Sequence, residues 1–332
     1  MRFLIPEYVN GLFTGSDLIK FDFFIAPPVR IIIYISVSLV LLLLFYLFYK
    51  SDMARTRREL IRCKRRLEDL SLKLALLEKR SSDINESLNY AHRIQNALLP
   101  EESVLIENFS EYFILYMPKD IVSGDFYWLY YNKNKVFLIV ADCTGHGVPG
   151  ALMSMIGHNL INSIIKENPD ESTGKILERL DRMVRSVFPG GKTEGSGIKE
   201  SMDISVCAID FKTLSLEFSG AFSSVYYFSG DKLNELKGDK YVIGMKPDGA
   251  IYSTHRIKMI KGDPLYLFTD GYADQFGGEE KKKFMYRRLR YLLTTINRLP
   301  MNEQKIILKD TLENWKGDNE QVDDILIMGI RI

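Results

Sequence analysis

Four stretches of the 332-residue chain set a carboxylate at the edge of an apolar run and close to glycine: Asp125 in VSGDFYW, Asp142 in FLIVADCTGHG, Asp270 in LYLFTDGYAD, and the pair Asp323-Asp324 in QVDDILIMGI. A carboxylate at the end of a buried strand is costly unless it is paired or bound to a cation. Aspartates converging from separate strands supply hard oxygen donors, which suit Mg2+ or Mn2+. Gly124, Gly145, Gly147 and Gly271 let the backbone turn sharply or come close to a ligand. A single Asp-Gly step usually marks a turn. Repeated across one domain, the pattern implies a two-metal hydrolase acting on a phosphate ester.

Other chemistries lack their signatures. The chain has no Walker A loop, no GxGxxG after a strand and no GxSxG elbow. Cys143 is not followed by the CxxxxxR phosphate loop, which excludes a cysteine phosphatase. Cys63, Cys143 and Cys207 are far apart, odd in number and form no CxxC pair. They read as reduced thiols, not as a disulfide framework or a zinc site. A net charge of +1 gives no reason to expect nucleic-acid binding, and a two-metal nuclease would need a basic groove that the sequence does not show. A small-molecule phosphoesterase is not dismissed by composition.

Several neighbours of these carboxylates have a plain reading beside a chemical one. His146 is read as a structural residue of a tight turn instead of a general acid. Lys119 is read as a solvated lysine instead of a phosphate contact. Asp203 is read as a strand-start carboxylate instead of a ligand to an extra cation. Asp120 and Asp274 are assigned to turns or surface, and Met153 and Met155 to the core.

The elements that must position these groups follow from hydrophobic periodicity. Apolar runs of strand length occur at 112–116, 136–141, 204–209, 214–219, 225–228, 265–269 and 325–330. DFKT joins 204–209 to 214–219 as a hairpin, and Ser229-Gly230-Asp231 makes a second turn. Helical patterns cover 150–166, 173–187, 279–296 and 302–315. Consecutive strands without intervening helices predict antiparallel sheets and an α+β layer fold. The Gly- and Lys-rich stretch 189–201 reads as a flexible loop.

The first hundred residues are different. Residues 31–49, IIIYISVSLVLLLLFYLFY, form an apolar run with Ser36 and Ser38 as its only small hydroxyl residues. At ~1.5 Å rise per residue it spans about 28 Å, against a hydrocarbon core of ~30 Å. Tyr46 and Tyr49 sit where aromatic residues favour the interface. The run starts too late and ends in the wrong residues for a cleaved signal peptide. It also lacks the polar stripe of a core helix, so a transmembrane helix is predicted. Lys50, Arg55, Arg57, Arg58, Arg62, Lys64, Arg65 and Arg66 come next, with only Asp52 and Glu59 opposing. The positive-inside rule then puts everything beyond the run in the cytoplasm and leaves residues 1–30 as a short external tail. From residue 60, Leu60, Leu67, Leu74 and Leu88 share one heptad position, with Ser81 interrupting. Cys63, Leu70, Leu77, Ile84, Ala91 and Leu98 share another. This a/d seam predicts a parallel dimeric coiled coil over 51–98, about 57 Å of it at ~1.5 Å per residue, which is too long for one small domain to cover. The last part, 84–98, is expected to dock on the next domain as the alternative, and Pro100 supplies the stop.

At the carboxylate motifs the chain resembles the SpoIIE-type branch of the PP2C (PPM) protein phosphatases. The matching segments run in family order over about 100–332: PKDIVSGDFYW at 118–128, ADCTGHGVPGALMSM at 141–155, MDISVCAID at 202–210, FTDGYADQFGG at 268–278 and VDDILIMGI at 322–330. INESLNYAHRIQNALLP at 84–100 is similar to the helix leading into the domain in relatives. The resemblance implies an αββα sandwich of two antiparallel sheets over 100–332 and a binuclear Mn2+ or Mg2+ centre at one end. It also implies hydrolysis of phosphoserine or phosphothreonine by a hydroxide held between the two ions. By motif, Asp142 bridges both ions and the Cys143 carbonyl joins it. Asp125 holds one ion, partly through water, and Asp270 and Asp323 hold the other. Asp324, one position later, ranks below Asp323. Cys143 and Ser201 stand where some relatives have glycine. The implied substrate is a phosphorylated protein, with a STAS-domain antagonist of an anti-sigma factor as the analogy. The expected setting is a single-pass protein of the inner membrane, homodimeric, with a cytoplasmic catalytic domain regulated through its N-terminal helices. The competing expectation is a catalytically silent membrane scaffold that binds a phosphoprotein.

Overall fold

Strand β3 (Lys135–Cys143) shows why this sequence makes a sandwich. Side chains alternate across a strand, and β3 is apolar on both faces: Phe137, Ile139, Ala141 and Cys143 enter one buried cluster, and Val136, Leu138 and Val140 another. Only a sheet covered on both sides buries such a strand. The computed structural model describes residues 27–133, 135–188 and 200–332, so most of the predicted loop 189–201 and most of the tail 1–30 lie outside the described residues. One five-stranded sheet runs β2 (Phe126–Asn132), β3, β4 (Met202–Asp210), β5 (Ser215–Ala221) and β8 (His255–Lys258). The other runs β1 (Glu111–Met117), β12 (Ile325–Arg331), β9 (Pro264–Phe268), β6 (Ser224–Ser229) and β7 (Lys232–Lys237). Neighbours in both sheets pair antiparallel, as expected.

A cluster containing Leu138, Val140, Cys207, Leu216, Leu267 and Leu326 fills the space between the sheets. Helices α3 (Gly147–Glu167) and α4 (Thr173–Val187) cover the outer face of the first sheet through Ile161, Ile164, Ile176, Leu177 and Leu180. Helices α6 (Tyr286–Ile296) and α7 (Met301–Lys316) cover the second through Leu289, Leu293, Leu308 and Leu312. Short helices α2 (Ser103–Asn108) and α5 (Gly271–Asp274) lie in connections. The layers are therefore α, β, β, α.

One predicted helix starts late. Residues 279–285 are not helical: β10 (Phe276–Gly277) pairs with β11 (Lys282–Lys283), and Met285 has φ 74°. The Glu- and Lys-rich run has good intrinsic helix propensity. However, the backbone N–H groups of Phe284 and Met285 donate to the carbonyls of Gln275 and Ala273 at 2.9 and 2.7 Å, and Phe284 is buried. Tertiary pairing overrides propensity here.

Helix α1 covers Pro27–Leu98, and by contacts the chain divides into 1–82 and 83–332. In the first unit α1 is the one helix among the described residues long and apolar enough to cross a membrane, and Leu60, Leu67, Leu70, Leu74 and Leu77 of its seam are exposed. In the second unit the last turns of α1 pack on the sandwich, where Gln95 is buried.

Candidate active site

The antiparallel registers carry four separated motifs to one end of the sandwich. Asp125 immediately precedes β2, and Phe126 pairs with Ala141, which brings Asp125 beside Asp142 near the end of β3. Asp142 lies directly across from Asp203 at the start of β4. In the other sheet Asp270 follows β9 and Asp323 precedes β12. Phe268 pairs with Ile327, so these two also meet at a shared end. Interactions among Asp125, Asp142, Asp270 and Asp323 then cross between the sheets.

Thr269 links the two halves. Its hydroxyl donates to Asp125 Oδ2 at 2.7 Å, and the Thr269 hydroxyl oxygen in turn accepts from the Leu326 backbone N–H at 3.0 Å. The first bond runs between the ends of β9 and β2, fixing a carboxylate of one sheet to a residue of the other. Asp324 is a second fastener. It is 3% exposed, and its two oxygens accept from the backbone N–H groups of Lys119 and Gly124, both at 2.7 Å. Both oxygens thus bind backbone of the Asp125 loop. Asp323 lies one residue earlier with a single protein bond to Oδ1, from the Asp324 N–H at 2.8 Å. The adjacent pair thus differs: both Asp324 oxygens are tied to backbone of the Asp125 loop, and Asp323 is left as the candidate cation donor.

Two glycines are required by close approach. A Cβ on Gly124 would lie 2.7 Å from the Gly145 carbonyl oxygen and 3.0 Å from that of Cys143. A Cβ on Gly271 would lie 1.9 Å from the Asp324 carbonyl oxygen. The Cys143 carbonyl thus faces the Asp125 loop, while its thiol is buried in the core and pushed up in pKa by that burial. Gln95, from α1, completes the loop. Its Nε2 donates to the Ser123 carbonyl at 2.6 Å and to Ser154 Oγ at 3.0 Å, and its Oε1 accepts from the Ser123 N–H at 3.1 Å.

Burial, then mutual repulsion, dominates the electrostatics. Asp125 and Asp142 are both raised well above the ordinary carboxylate value by burial, and the Thr269 hydrogen bond opposes this at Asp125. Burial, then Asp274 and Asp323, lift Asp270 to about 6. Burial, then Asp270, lifts Asp203 to about 7. Asp323 is raised by burial, partly opposed by its backbone hydrogen bond. Among the described residues, no Lys or Arg forms an ion pair with Asp125, Asp142, Asp270 or Asp323. Also among the described residues, no three His, Cys, Asp or Glu side chains already form a closed cage. The donor set nonetheless fits hard divalent cations: it is all oxygen, it repels itself, and Lys283, Lys119 and His146 offset that repulsion only from beyond ion-pair distance. Asp125, Asp142, Asp270 and Asp323, with the Cys143 carbonyl, are the groups available to hold them.

Lys119, read as solvated, is half-buried and acts on Asp323, and Asp203 lies across from Asp142 in the pocket lining. His146 precedes α3, and its Nδ1 lies 2.8 Å from Asp120 Oδ2, both half-exposed, which ties two turns together. Met153 is buried in the core and Met155 partly so. Asp274 pairs with Lys283 at 2.7 Å. Sequence reasoning missed Thr269, Gln95 and the fastening role of Asp324. Beside the carboxylates lies a pocket of about 300 Å³ whose lining includes Asp142, Asp203, Thr269 and Asp270.

Comparison with known proteins agrees with this architecture. The family model for stage II sporulation protein E (SpoIIE) matches residues 132–332. The SiaA-PP2C domain of Pseudomonas aeruginosa is 35% identical, with TM-score 0.69, covering 76% of this chain and 98% of that one. The PP2C phosphatase domain of SpoIIE from Bacillus subtilis shares the fold at 16% identity, with TM-score 0.54, covering 67% of this chain and 63% of that one. The chain belongs to the SpoIIE family of PP2C-like proteins. Phosphoserine phosphatase RsbU of Bacillus subtilis (strain 168) is 25% identical over 202 residues, 58% of this chain and 55% of that protein, so the chain spans about half the length of this curated relative.

Proposed function

We propose that this protein is a metal-dependent protein serine/threonine phosphatase, held at a membrane by the apolar part of α1 and regulated through the rest of that helix. The observation that carries the reading is the convergence of Asp125, Asp142, Asp270 and Asp323 from both sheets on one end of the sandwich, where burial raises all four and, among the described residues, no Lys or Arg ion pair holds any of them. Two Mn2+ or Mg2+ ions bound there would supply Lewis acidity and a nucleophile at neutral pH. The protein's own part is placement. Asp142 sits at the centre of the carboxylates, Thr269 orients Asp125, and Asp324 with Gln95 holds the Asp125 loop against β12 and α3. The name of the RsbU relative supports a phosphoserine substrate. A STAS-domain antagonist of an anti-sigma factor remains the protein class proposed to carry it.

The membrane reading rests on the length and apolarity of residues 31–49 and the basic flank beyond them. The homodimer rests on the exposed heptad seam of α1. The Gln95 bonds are the route by which α1 would reach the Asp125 loop. Mn2+ titration of the full-length protein in detergent, with free Mn2+ read by electron paramagnetic resonance, tests the centre. Saturable binding lost in Asp142→Asn is the expected result. Binding that is absent in the wild type, or unchanged in the variant, would remove the metal-dependent reading and favour the silent scaffold.

A further inference from the structure

The pocket beside the carboxylates extends well beyond them, and its far end has its own chemistry. Its floor is Asp142, Asp203 and Asp270. Its wall comes from β6, β7, β9 and α6, elements that carry none of the four carboxylate motifs' own aspartates. On α6, Tyr286 and Arg290 are four residues apart and so share a helix face, and both line the pocket. Tyr286 packs against Phe268 with ring centroids 6.0 Å apart, Phe268 against Tyr226 at 4.6 Å, and the Arg290 guanidinium lies 5.9 Å from the centre of the Tyr226 ring. On β7, alternation sends Glu235 and Lys237 to one face, where they pair with Tyr226 and Ser224 of β6.

The charges at this end do not cancel. Arg290 and Lys237 approach the same carboxylate, Glu235, at 3.4 and 4.0 Å. Arginine has five N–H donors in a fork that matches a carboxylate, and Lys237 is 77% exposed at its side chain. One acid between two bases leaves donors unused and a net positive rim. At the pocket lip Phe222 is 61% exposed and has φ 55°, a conformation that bulky residues rarely adopt. Its turn is pinned by Phe222 N–H donating to the Asp239 carbonyl at 2.8 Å and Gly238 N–H to the Ser223 carbonyl at 3.1 Å. A volume of about 300 Å³ takes one or two side chains, not a folded surface.

We infer that this end of the pocket is a subsite for the residue next to the phosphoserine. It seats an acidic side chain on the donors of Lys237 and Arg290 that Glu235 leaves unused, on the solvent side of that pair, with the flanking chain resting on Phe222. The inference rests on the phosphatase reading and deepens it by naming a class of substrate sequence. The negative floor explains why the acidic neighbour goes to the rim, since unmasked carboxylates repel it.

The test compares two peptides with the full-length protein in detergent and Mn2+: a phosphoserine decapeptide with Glu on both sides of the phosphoserine, and its Gln twin. The measured quantity is the ratio of their kcat/KM values. Wild type is expected to prefer the Glu peptide by about tenfold, in keeping with two partly exposed charge contacts. Lys237→Ala/Arg290→Ala should bring the ratio to about one, Lys237→Glu/Arg290→Glu should take it below one, and Arg290→Lys should retain most of it. The same ratio is read as binding, by fluorescence anisotropy of labelled peptides in chelator. The subsite is thereby tested even if turnover fails, and failure of turnover alone counts against the phosphatase reading. A wild type indifferent to Glu against Gln in both readouts, or a ratio unmoved by the double variants, would overturn the inference.

Discussion

Thr269 carries no charge, yet its hydroxyl is the one protein donor to Asp125 Oδ2 among the described residues, at 2.7 Å. A group that orients a metal-binding carboxylate typically changes metal affinity or activity about 10- to 100-fold when removed. Thr269→Val keeps the shape and removes the donor. It should raise the Mn2+ concentration for half-maximal activity by about 10-fold or more, with the circular dichroism spectrum unchanged. An unmoved Mn2+ dependence would show that Asp125 needs no such support. The carboxylates are legible in the sequence because each borders an apolar run, and Asp125 and Asp270 also adjoin a glycine. Thr269 is not, because a threonine ending a strand fits β-propensity and needs no further reason. Asp324 looks like a lesser copy of Asp323, since adjacent carboxylates differ only in direction, and direction is set by the backbone of Lys119 and Gly124 far away in the chain.

At the scale of elements, strands buried on both faces are the easiest to read, as in β3, β4, β9 and β12, where both clusters claim alternate side chains. Strand β2 escapes the sequence reading because FYWLYY directly follows the Asp125 motif. The late start of α6 escapes it because β10–β11 pairing is tertiary. Within 84–98 of α1 Ile84 and Tyr90 are exposed, while Gln95 is buried and reaches partners 28 and 59 residues away. A solvated glutamine and a buried one look the same in a helical pattern. Near Leu98, His158 of α3 packs edge-on to Phe126 at 6.2 Å. Its Nδ1 is buried without a partner. Burial, aided by Lys166, lowers its pKa below 6.5. The folded state therefore binds fewer protons than the unfolded one below 6.5, and stability falls as pH drops through that window. Urea unfolding at pH 7.5 and 5.5 should show a larger acid loss for wild type than for His158→Gln. Equal losses would mean that the imidazole does not couple the α1 docking site to pH.

At the scale of the whole chain, one helix carries the apolar run and the heptad seam, and its last turns hold the Asp125 loop of the sandwich. If association of α1 sets activity, helical phase matters: one residue inserted near Ser81 rotates the downstream turns of the helix by about 100°. The phosphatase activity of the membrane-inserted variant should then change several-fold, and the insertion of a whole heptad should restore it. Identical activity in all three proteins would detach regulation from the helix. The central claim is prior to any regulation: that the convergent aspartates make an enzyme. Its most direct test is release of phosphate from a phosphoserine peptide and of p-nitrophenol from p-nitrophenyl phosphate by the full-length protein, with and without Mn2+, beside Asp142→Asn. Turnover of both that needs Mn2+ and falls at least about 100-fold in the variant is the predicted result. A folded wild-type protein that binds Mn2+ yet turns over neither substrate, or an Asp142→Asn protein as active as wild type, would contradict it.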